Sequence, residues 1–129
     1  MNSRPEGVDP LVIGGLRARE VFEVVDAEGV VEALQIVFLD NSSVVFTVWT
    51  DWSLLVDKRS DQEIPDYLWP GEEYTQRSIG LDIPENGLMI LSVTSTVDEV
   101  GVVMGADIAV DEHVVSVRSF GGEISLSVQ

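Results

Sequence analysis

The chain has 129 residues, 45% of them hydrophobic, and its 23 acidic side chains against seven basic ones give a net charge of −16. This length fits one domain with a sizeable core, and so acidic a chain is expected to bind neither nucleic acid nor anionic membranes. Without cysteine it has no disulfide and no thiol chemistry. The N-terminus lacks the pattern of a secretory signal, and no apolar run approaches the roughly 20 residues that span a bilayer, so we expect a cytoplasmic protein.

Residues 1–14 carry prolines and glycines and predict a short lead-in to a single β domain over residues 15–129. Four β-branched segments come next and predict strands over residues 17–25, 31–39, 44–50 and 53–57. Turns rich in Asp, Asn, Gly and Ser separate these segments, which is typical of antiparallel hairpins.

A long connector, residues 57–86, interrupts the strand pattern. Because a structureless loop of this length is unusual in a compact domain, we expect part of it to be ordered. Pro65 suits the first position of a short helical turn over residues 64–68, and Pro70 with Gly71 would end that turn. As the main departure from the strand pattern, the connector is the favoured place for binding.

Four further segments predict strands over residues 88–97, 103–110, 114–119 and 123–128. Apolar and polar residues alternate in them with period two. We therefore expect a sheet with one face in the core and the other in water.

The two sets of strands are similar in sequence. A shift of 72 residues aligns residues 15–41 with 87–113, nine of these 27 positions are identical, and a two-residue slip at 41–43 extends the match. Matching glycines and Asp-x-x-Gly turns carry more weight than matching valines. The sequence predicts an all-β fold, in which two pseudo-repeats (15–56 and 87–128) of a four-stranded antiparallel meander pack as a sandwich or close as a barrel.

The alternation in the second repeat, transferred to the first, predicts which side chains of the first face the core. The predicted core positions are Leu34, Ile36, Phe38, Val45, Trp49, Leu54 and Val56. Phe46, Val48 and Leu55 then fall on the face that the second repeat exposes to water. Such an apolar face needs a cover, which either the connector or another protein chain supplies.

No residue pattern points to an enzyme, a metal or a cofactor. His113 is the one histidine, and no Gly-x-Ser-x-Gly elbow accompanies it. On a strand Asp107 and Asp111 would lie about 13 Å apart, too far to share a metal ion. Calcium held loosely by the acidic connector, and a pair of carboxylates from different strands, stay open as alternatives.

Charge and aromatic side chains together predict protein binding. We expect a non-catalytic acidic interaction protein, of immunity or inhibitor type, that binds a basic partner such as a toxin or nuclease and could neutralise it. The candidate partner-binding residues are Phe46, Val48, Trp52, Asp57, Asp61, Glu63, Asp66, Tyr67, Trp69, Glu72 and Glu73. Aromatic side chains would anchor the partner and carboxylates would steer it. The alternatives are a homodimeric β-domain and a small carboxylate-based hydrolase.

Overall fold

The computed structural model of the chain describes residues 5–120 and 122–129. This part of the protein is all β, with nine strands in one antiparallel sheet that does not close on itself. The barrel alternative is therefore not what the described strands form. Residues 1–4 of the predicted lead-in and residue 121 of the last predicted turn lie outside the described residues.

Eight strands form two four-stranded meanders, and all eight predicted segments are confirmed to within two residues. The first meander consists of β1 (Arg17–Val25), β2 (Val31–Phe38), β3 (Ser43–Val48) and β4 (Leu54–Arg59). The second consists of β6 (Leu88–Val97), β7 (Val103–Val110), β8 (His113–Phe120) and β9 (Glu123–Val128). The connector adds β5 (Thr75–Ser78), and short 3-10 turns occupy Pro10–Ile13 and Gly71–Glu73.

The helical turn predicted over residues 64–68 is present as one hydrogen-bonded turn and not as a helix. This segment makes a single turn in which the Leu68 N–H donates to the Pro65 carbonyl at 3.1 Å. The 3-10 turn of the connector begins after Pro70 instead of ending there. Proline has a fixed φ and no N–H to satisfy, so it suits the start of a helical turn as well as the position after its end.

β1 has three partners and joins the two meanders. It pairs with β2 along most of its length, with β5 through Phe22–Val25, and with β6 through Arg17 and Ala18. The strand order is therefore β4-β3-β2-β1-β6-β7-β8-β9, with β5 beside the C-terminal half of β1.

One apolar cluster, which we call the main cluster, lies between the two meanders. The first meander contributes side chains such as Leu34, Ile36 and Phe46, and the second contributes Ile108 and Val115 among others. These five side chains are at most 2% exposed. Burial of alternate residues from both meanders is the main stabilising contribution.

The registers of the two meanders correspond. Val21 opposes Ile36 across β1 and β2, and Val93 opposes Ile108 across β6 and β7, each pair separated from its counterpart by 72 residues. Both strand pairs also carry two register shifts at matching positions. β-Bulges are specific backbone features, so their recurrence is informative about the relation between the halves.

The turns that follow β1 and β6 also match. Asp26 and Asp98 each accept two backbone N–H bonds on Oδ1, from the residues two and four positions later, at 2.8–2.9 Å. Gly29 and Gly101 both have positive φ, +82° and +87°. A glycine adopts this backbone conformation without steric cost, which explains the Asp-x-x-Gly pattern.

β3 is shifted by one residue from the predicted correspondence. The second repeat lacks two residues that the first contains, and the sequence alignment places this two-residue difference in the β2–β3 turn. β3 would then match β8 at an offset of 70. Val44 opposes Ile36 as Val115 opposes Ile108, so the offset in β3 is 71. The remaining residue of the slip falls in the β3–β4 turn.

This shift exchanges the two faces of β3. Val44 and Phe46 point into the main cluster, whereas Val45 points to the opposite face of the sheet. The predictions that Val45 faces the main core and that Phe46 faces water are therefore wrong, because a one-residue shift turns every side chain of a strand over. The predicted core positions on β2 and β4 are confirmed as members of the main cluster: Leu34, Ile36, Phe38, Leu54 and Val56.

Replacing Phe46 by Ala should lower the free energy of unfolding by about 3–5 kcal/mol, because the side chain is fully buried and leaves a cavity. Val48, two residues along the same strand and only half-buried, is the matched control; Val48→Ala should cost about 1 kcal/mol. Urea unfolding followed by circular dichroism measures both. Equal losses would contradict the placement of Phe46 in the main cluster.

Candidate functional site

The connector covers the outer face of the first meander, which is the face turned away from the main cluster. A second cluster forms there from buried Val24, Ala33 and Val45 of the sheet and Leu68 of the connector. The partly buried side chains packed against it are Ile64, Tyr67 and Tyr74. Of the two covers that the sequence left open, the connector is the one observed.

Buried polar side chains of the sheet hold the connector backbone. Gln35 is fully buried, and its Nε2 donates to the Glu63 carbonyl at 2.9 Å. Its Oε1 accepts from Gln76 Nε2 at 2.7 Å. Ser43, opposite the same part of the connector, donates to the Asp61 carbonyl at 2.6 Å. These bonds satisfy groups that would be costly to bury unpaired, and they fix the path of residues 61–63.

A second polar network fixes the other part of the connector to β4. Asp57 is only 6% exposed, and its Oδ2 accepts from Tyr67 Oη at 2.9 Å and from Arg59 Nη1 at 3.0 Å. Arg59 also pairs with Asp61, at 3.1 Å from Nε. The Tyr67 ring packs edge-on against Trp49, with ring centroids 5.4 Å apart.

These contacts shift the pKa values of the groups involved. Burial raises the pKa of Tyr67, and the neighbouring Asp57 carboxylate raises it further. The hydrogen bond from Arg59 lowers the pKa of Asp61. Partial burial disfavours the charge of Arg59, but its bonds to Asp61 and Asp57 outweigh this and raise its pKa. At neutral pH Arg59 and Asp61 are therefore ionised and Tyr67 is neutral.

The structure divides the predicted partner-binding residues into an inaccessible group and an exposed one. Phe46 is fully buried in the main cluster, and Asp57 is buried beneath the connector. Tyr67 and Val48 are half-buried, and Asp61 is engaged with Arg59. These side chains hold the molecule together and present little surface to a partner.

The exposed group is concentrated on the connector. We call it the connector surface, and it consists of Glu63, Asp66, Trp69, Glu72 and Glu73. Trp69 is 76% exposed, an unusually large apolar area for an aromatic side chain, and the four exposed acids lie within six residues of it in the sequence. A segment that combines an exposed tryptophan with exposed acids has the composition of a binding surface.

Trp52 lies apart from the connector surface. It is 61% exposed in the β3–β4 turn, and its carbonyl accepts a bond from the Ser119 hydroxyl at the end of β8. Its ring lies against Gly122 of the β8–β9 turn. Trp52 and Trp69, both candidate partner-binding residues, are therefore not brought together by the described contacts.

Acidic residues of the first hairpin extend the negative field beside the connector. Burial raises the pKa of Glu32 on β2, and the charges of Asp26 and Glu123 raise it further. Burial also raises the pKa of Tyr74, and the negative charges of Glu32, Asp26 and Glu73 raise it further. Glu73 of the connector surface therefore interacts with the same tyrosine as these two hairpin acids.

Gln35, Gln76 and Glu32 also belong to this region, although the sequence pattern did not predict them. Gln35 had a signal: it is the only polar residue in the apolar run of residues 33–38, and a polar group in such a run needs a buried partner. Gln76 and Glu32 had none, because their importance depends on pairing between distant segments.

The described residues contain little that resembles a catalytic or metal site. Among residues 5–120 and 122–129, no group of three or more His, Asp or Glu side chains is arranged to hold a metal ion. His113 is exposed, and its Nδ1 lies 3.2 Å from the Gln129 carbonyl. The same part of the chain contains no helix long and apolar enough to cross a membrane.

Comparison with known proteins adds no identification. No family model, no curated protein and no solved structure matches the chain. The functional argument therefore depends on the geometry alone.

Replacing Tyr67 by Phe should lower the free energy of unfolding by about 1 kcal/mol, because it removes the hydrogen bond to buried Asp57 and keeps the ring against Trp49. Tyr74→Phe is the matched control, since no hydrogen bond of the Tyr74 hydroxyl contributes to holding the connector, and little change is expected. Urea unfolding at pH 7 measures both. A loss as large for Tyr74 would contradict the role given to the Asp57 network.

Replacing Glu32 by Gln should raise the thermal midpoint at pH 7. Its folded pKa lies above the unfolded value, so ionised Glu32 disfavours the folded state at neutral pH, and this penalty is relieved as the pH falls through the folded pKa. The gain should therefore shrink at pH 4. Glu28→Gln, in the adjoining exposed turn, makes the same charge change and should gain less at pH 7. Thermal unfolding by circular dichroism at both pH values decides; equal gains for the two variants would refute the burial effect.

Proposed function

We propose that this chain is a non-catalytic acidic interaction protein that binds a basic protein partner through the connector surface. The observation that carries the proposal is Trp69, 76% exposed among acids of an ordered connector. A tryptophan in this setting is suited to be an interface anchor, with carboxylates around it to steer and orient a cationic surface. We propose, as the sequence predicts, that the protein binds this partner in the cytoplasm.

The charges of the described residues support a basic partner. The arginines Arg59, Arg77 and Arg118 form their ion pairs with acids that are not part of the connector surface, namely Asp57, Asp61, Glu23 and Asp107. Glu63, Glu72 and Glu73 form no salt bridge with any described cation. Their negative field is therefore not neutralised locally, and it adds to the net charge of −16 in attracting a cationic protein.

The anchoring of the connector supports binding by a preformed surface. Gln35 and Ser43 hold residues 61–63, and Tyr67 holds the next turn to Asp57. Side chains on such a backbone lose less conformational entropy on binding than side chains on a free loop. This favours the connector as a recognition element on a rigid scaffold.

We also propose that the two meanders are copies of one unit and pack face to face as a sandwich. The corresponding registers, bulges and Asp-x-x-Gly turns support the duplication, and the shared main cluster supports the sandwich. The connector is then an ordered segment without a counterpart in the other half. An element added to a duplicated scaffold is a reasonable place for a function that the scaffold itself lacks.

The same geometry favours binding over a carboxylate-based hydrolase. Such an enzyme needs two carboxyl groups facing each other across a cleft. Asp57, the one buried acid among the described residues, is instead held by Tyr67 and Arg59 in a network that fixes the connector.

A photo-crosslinking side chain at position 69 tests the proposal in an extract of the cells that make the protein. We expect it to capture a basic protein, and we expect the same group at position 52, the other exposed tryptophan, to capture that protein weakly or not at all. Mass spectrometry identifies the captured chain. With the purified partner, Trp69→Ala should then weaken binding about tenfold or more, and Trp52→Ala should have little effect.

Charge variants test the electrostatic part. Glu63→Gln/Glu72→Gln/Glu73→Gln should weaken and slow association, whereas Glu85→Gln/Glu99→Gln/Glu112→Gln, with the same charge change on exposed acids elsewhere, should not. Binding should also weaken as salt rises. Equal effects of the two triple variants, or a captured protein that is not basic, would refute the proposed surface.

A further inference from the structure

β9 leaves one side of its backbone without partners. Val114 and Gln129 exchange both of their N–H···O bonds, at 3.1 and 3.0 Å. Because such pairs alternate along an antiparallel ladder, Ser127, Ser125 and Glu123 also face β8. The N–H and C=O groups of Ile124, Leu126 and Val128 then point away from β8, and no described residue pairs with them.

The opposite edge of the sheet is protected, and β9 is not. On β4 the Val56 carbonyl accepts a bond from the Val8 N–H at 2.9 Å, and the strand carries Lys58 and Arg59. β9 contains no Lys, Arg or Pro, and it pairs with β8 without a register shift. Exposed edges in proteins are usually blunted by such charges, prolines or bulges, so an unblunted edge indicates a partner strand.

Apolar surface lies along the same edge. Val128 is 42% exposed, and Ile124 and Leu126 are only partly buried. A crevice of about 230 Å³ opens beside Leu126 and Val128, with Glu23, Ser78 and Ile79 on its other side. A strand added to β9 would cover this crevice as well as the free backbone groups.

We propose that this partner is β9 of a second copy of the chain, paired antiparallel about Leu126. In this register Leu126 opposes Leu126 of the second copy, and Ile124 opposes Val128 of the second copy. By symmetry Val128 also opposes Ile124 of the second copy, so there are three outward-facing pairs, and about six backbone hydrogen bonds form, two for each pair. Aliphatic side chains meet on the inner side of the strand and serines meet on the outer side, and both are favourable cross-strand pairs.

Charge at this edge favours a second copy over a basic strand. The only ionised side chain of β9 is Glu123, and in the paired register it opposes Gln129 of the second copy. No like-charged side chains oppose one another in this register, and a cationic strand would find one side-chain carboxylate there. The rest of the −16 charge repels the second copy at long range, which salt screens over about 8 Å at physiological ionic strength.

Sedimentation equilibrium across protein concentrations tests the dimer with the unmodified chain. We expect a monomer–dimer equilibrium whose association constant rises with salt, because screening weakens the long-range repulsion. Salt should have the opposite effect on the complex with a basic partner, which it weakens. The two proposals can therefore be refuted independently of each other. A monomer at all concentrations and salt levels would overturn the β9 pairing.

Variants that place charged side chains on β9 test whether the two copies pair through this strand. Ser125 opposes Ser127 of the second copy, so Ser125→Lys/Ser127→Lys and Ser125→Glu/Ser127→Glu each place like charges opposite one another. Each variant alone should lose about tenfold in association constant, and a mixture of the two should recover dimers as the mixed pair. The lysine variant lowers the total negative charge, so general repulsion would not explain its loss of dimer.

Ser92→Lys/Thr94→Lys and its glutamate equivalent are the matched controls. Both residues are exposed on β6, which lies inside the strand order, and the charge changes are the same. These controls should dimerise like the unmodified chain. Control variants that lose the dimer equally, or a mixture of the two β9 variants that does not recover it, would overturn the proposed register. Circular dichroism confirms that each variant is folded.

Discussion

The first meander is buried on both of its faces, and the rest of the structure depends on this constraint. The second meander covers the inner face through the main cluster, and the connector covers the outer face. Every residue from Ala33 to Phe38 on β2 is buried as a result. A sheet buried on both sides leaves its polar side chains without water, so Gln35, Ser43 and Asp57 must find partners in the connector. The order of the connector and the burial of the sheet thus require each other.

Much of the fold could be predicted because its signals are local. Period-two alternation and turns of the Asp-x-x-Gly type locate the eight meander strands within two residues of their observed bounds. The facing of β3 could not be predicted in the same way. The two halves can be aligned with a single gap of two residues before β3, or with one gap of one residue before β3 and another after it. The two alignments fit the sequence almost equally well, yet they place Phe46 on opposite faces of the sheet. β5 had no signal, because Thr75–Ser78 is short and polar and forms a strand only where β1 offers a free side.

The candidate site could be predicted as a region but not as a set of side chains. The excess of apolar residues in the first half indicated a face that needs a cover, but Phe46, on which this prediction rested in part, lies on the other face. An acid within an acidic segment gives no sign of whether it points to water or to an arginine. Asp57 and Glu63 look alike in the sequence, and only the pairing of β3 with β4 and the position of Arg59 distinguish a buried structural carboxylate from an exposed one.

The three partners of β1 imply a graded order of local opening. Detaching β5 breaks its pairs with Phe22–Val25 and the bond from Gln76 to Gln35, while the main cluster stays intact. Separating β1 from β2 requires disruption of the main cluster as well. Amide hydrogens in β5 should therefore exchange with solvent through a smaller fluctuation than those in the centre of β2, and proteases should reach the middle of the chain before either meander unfolds.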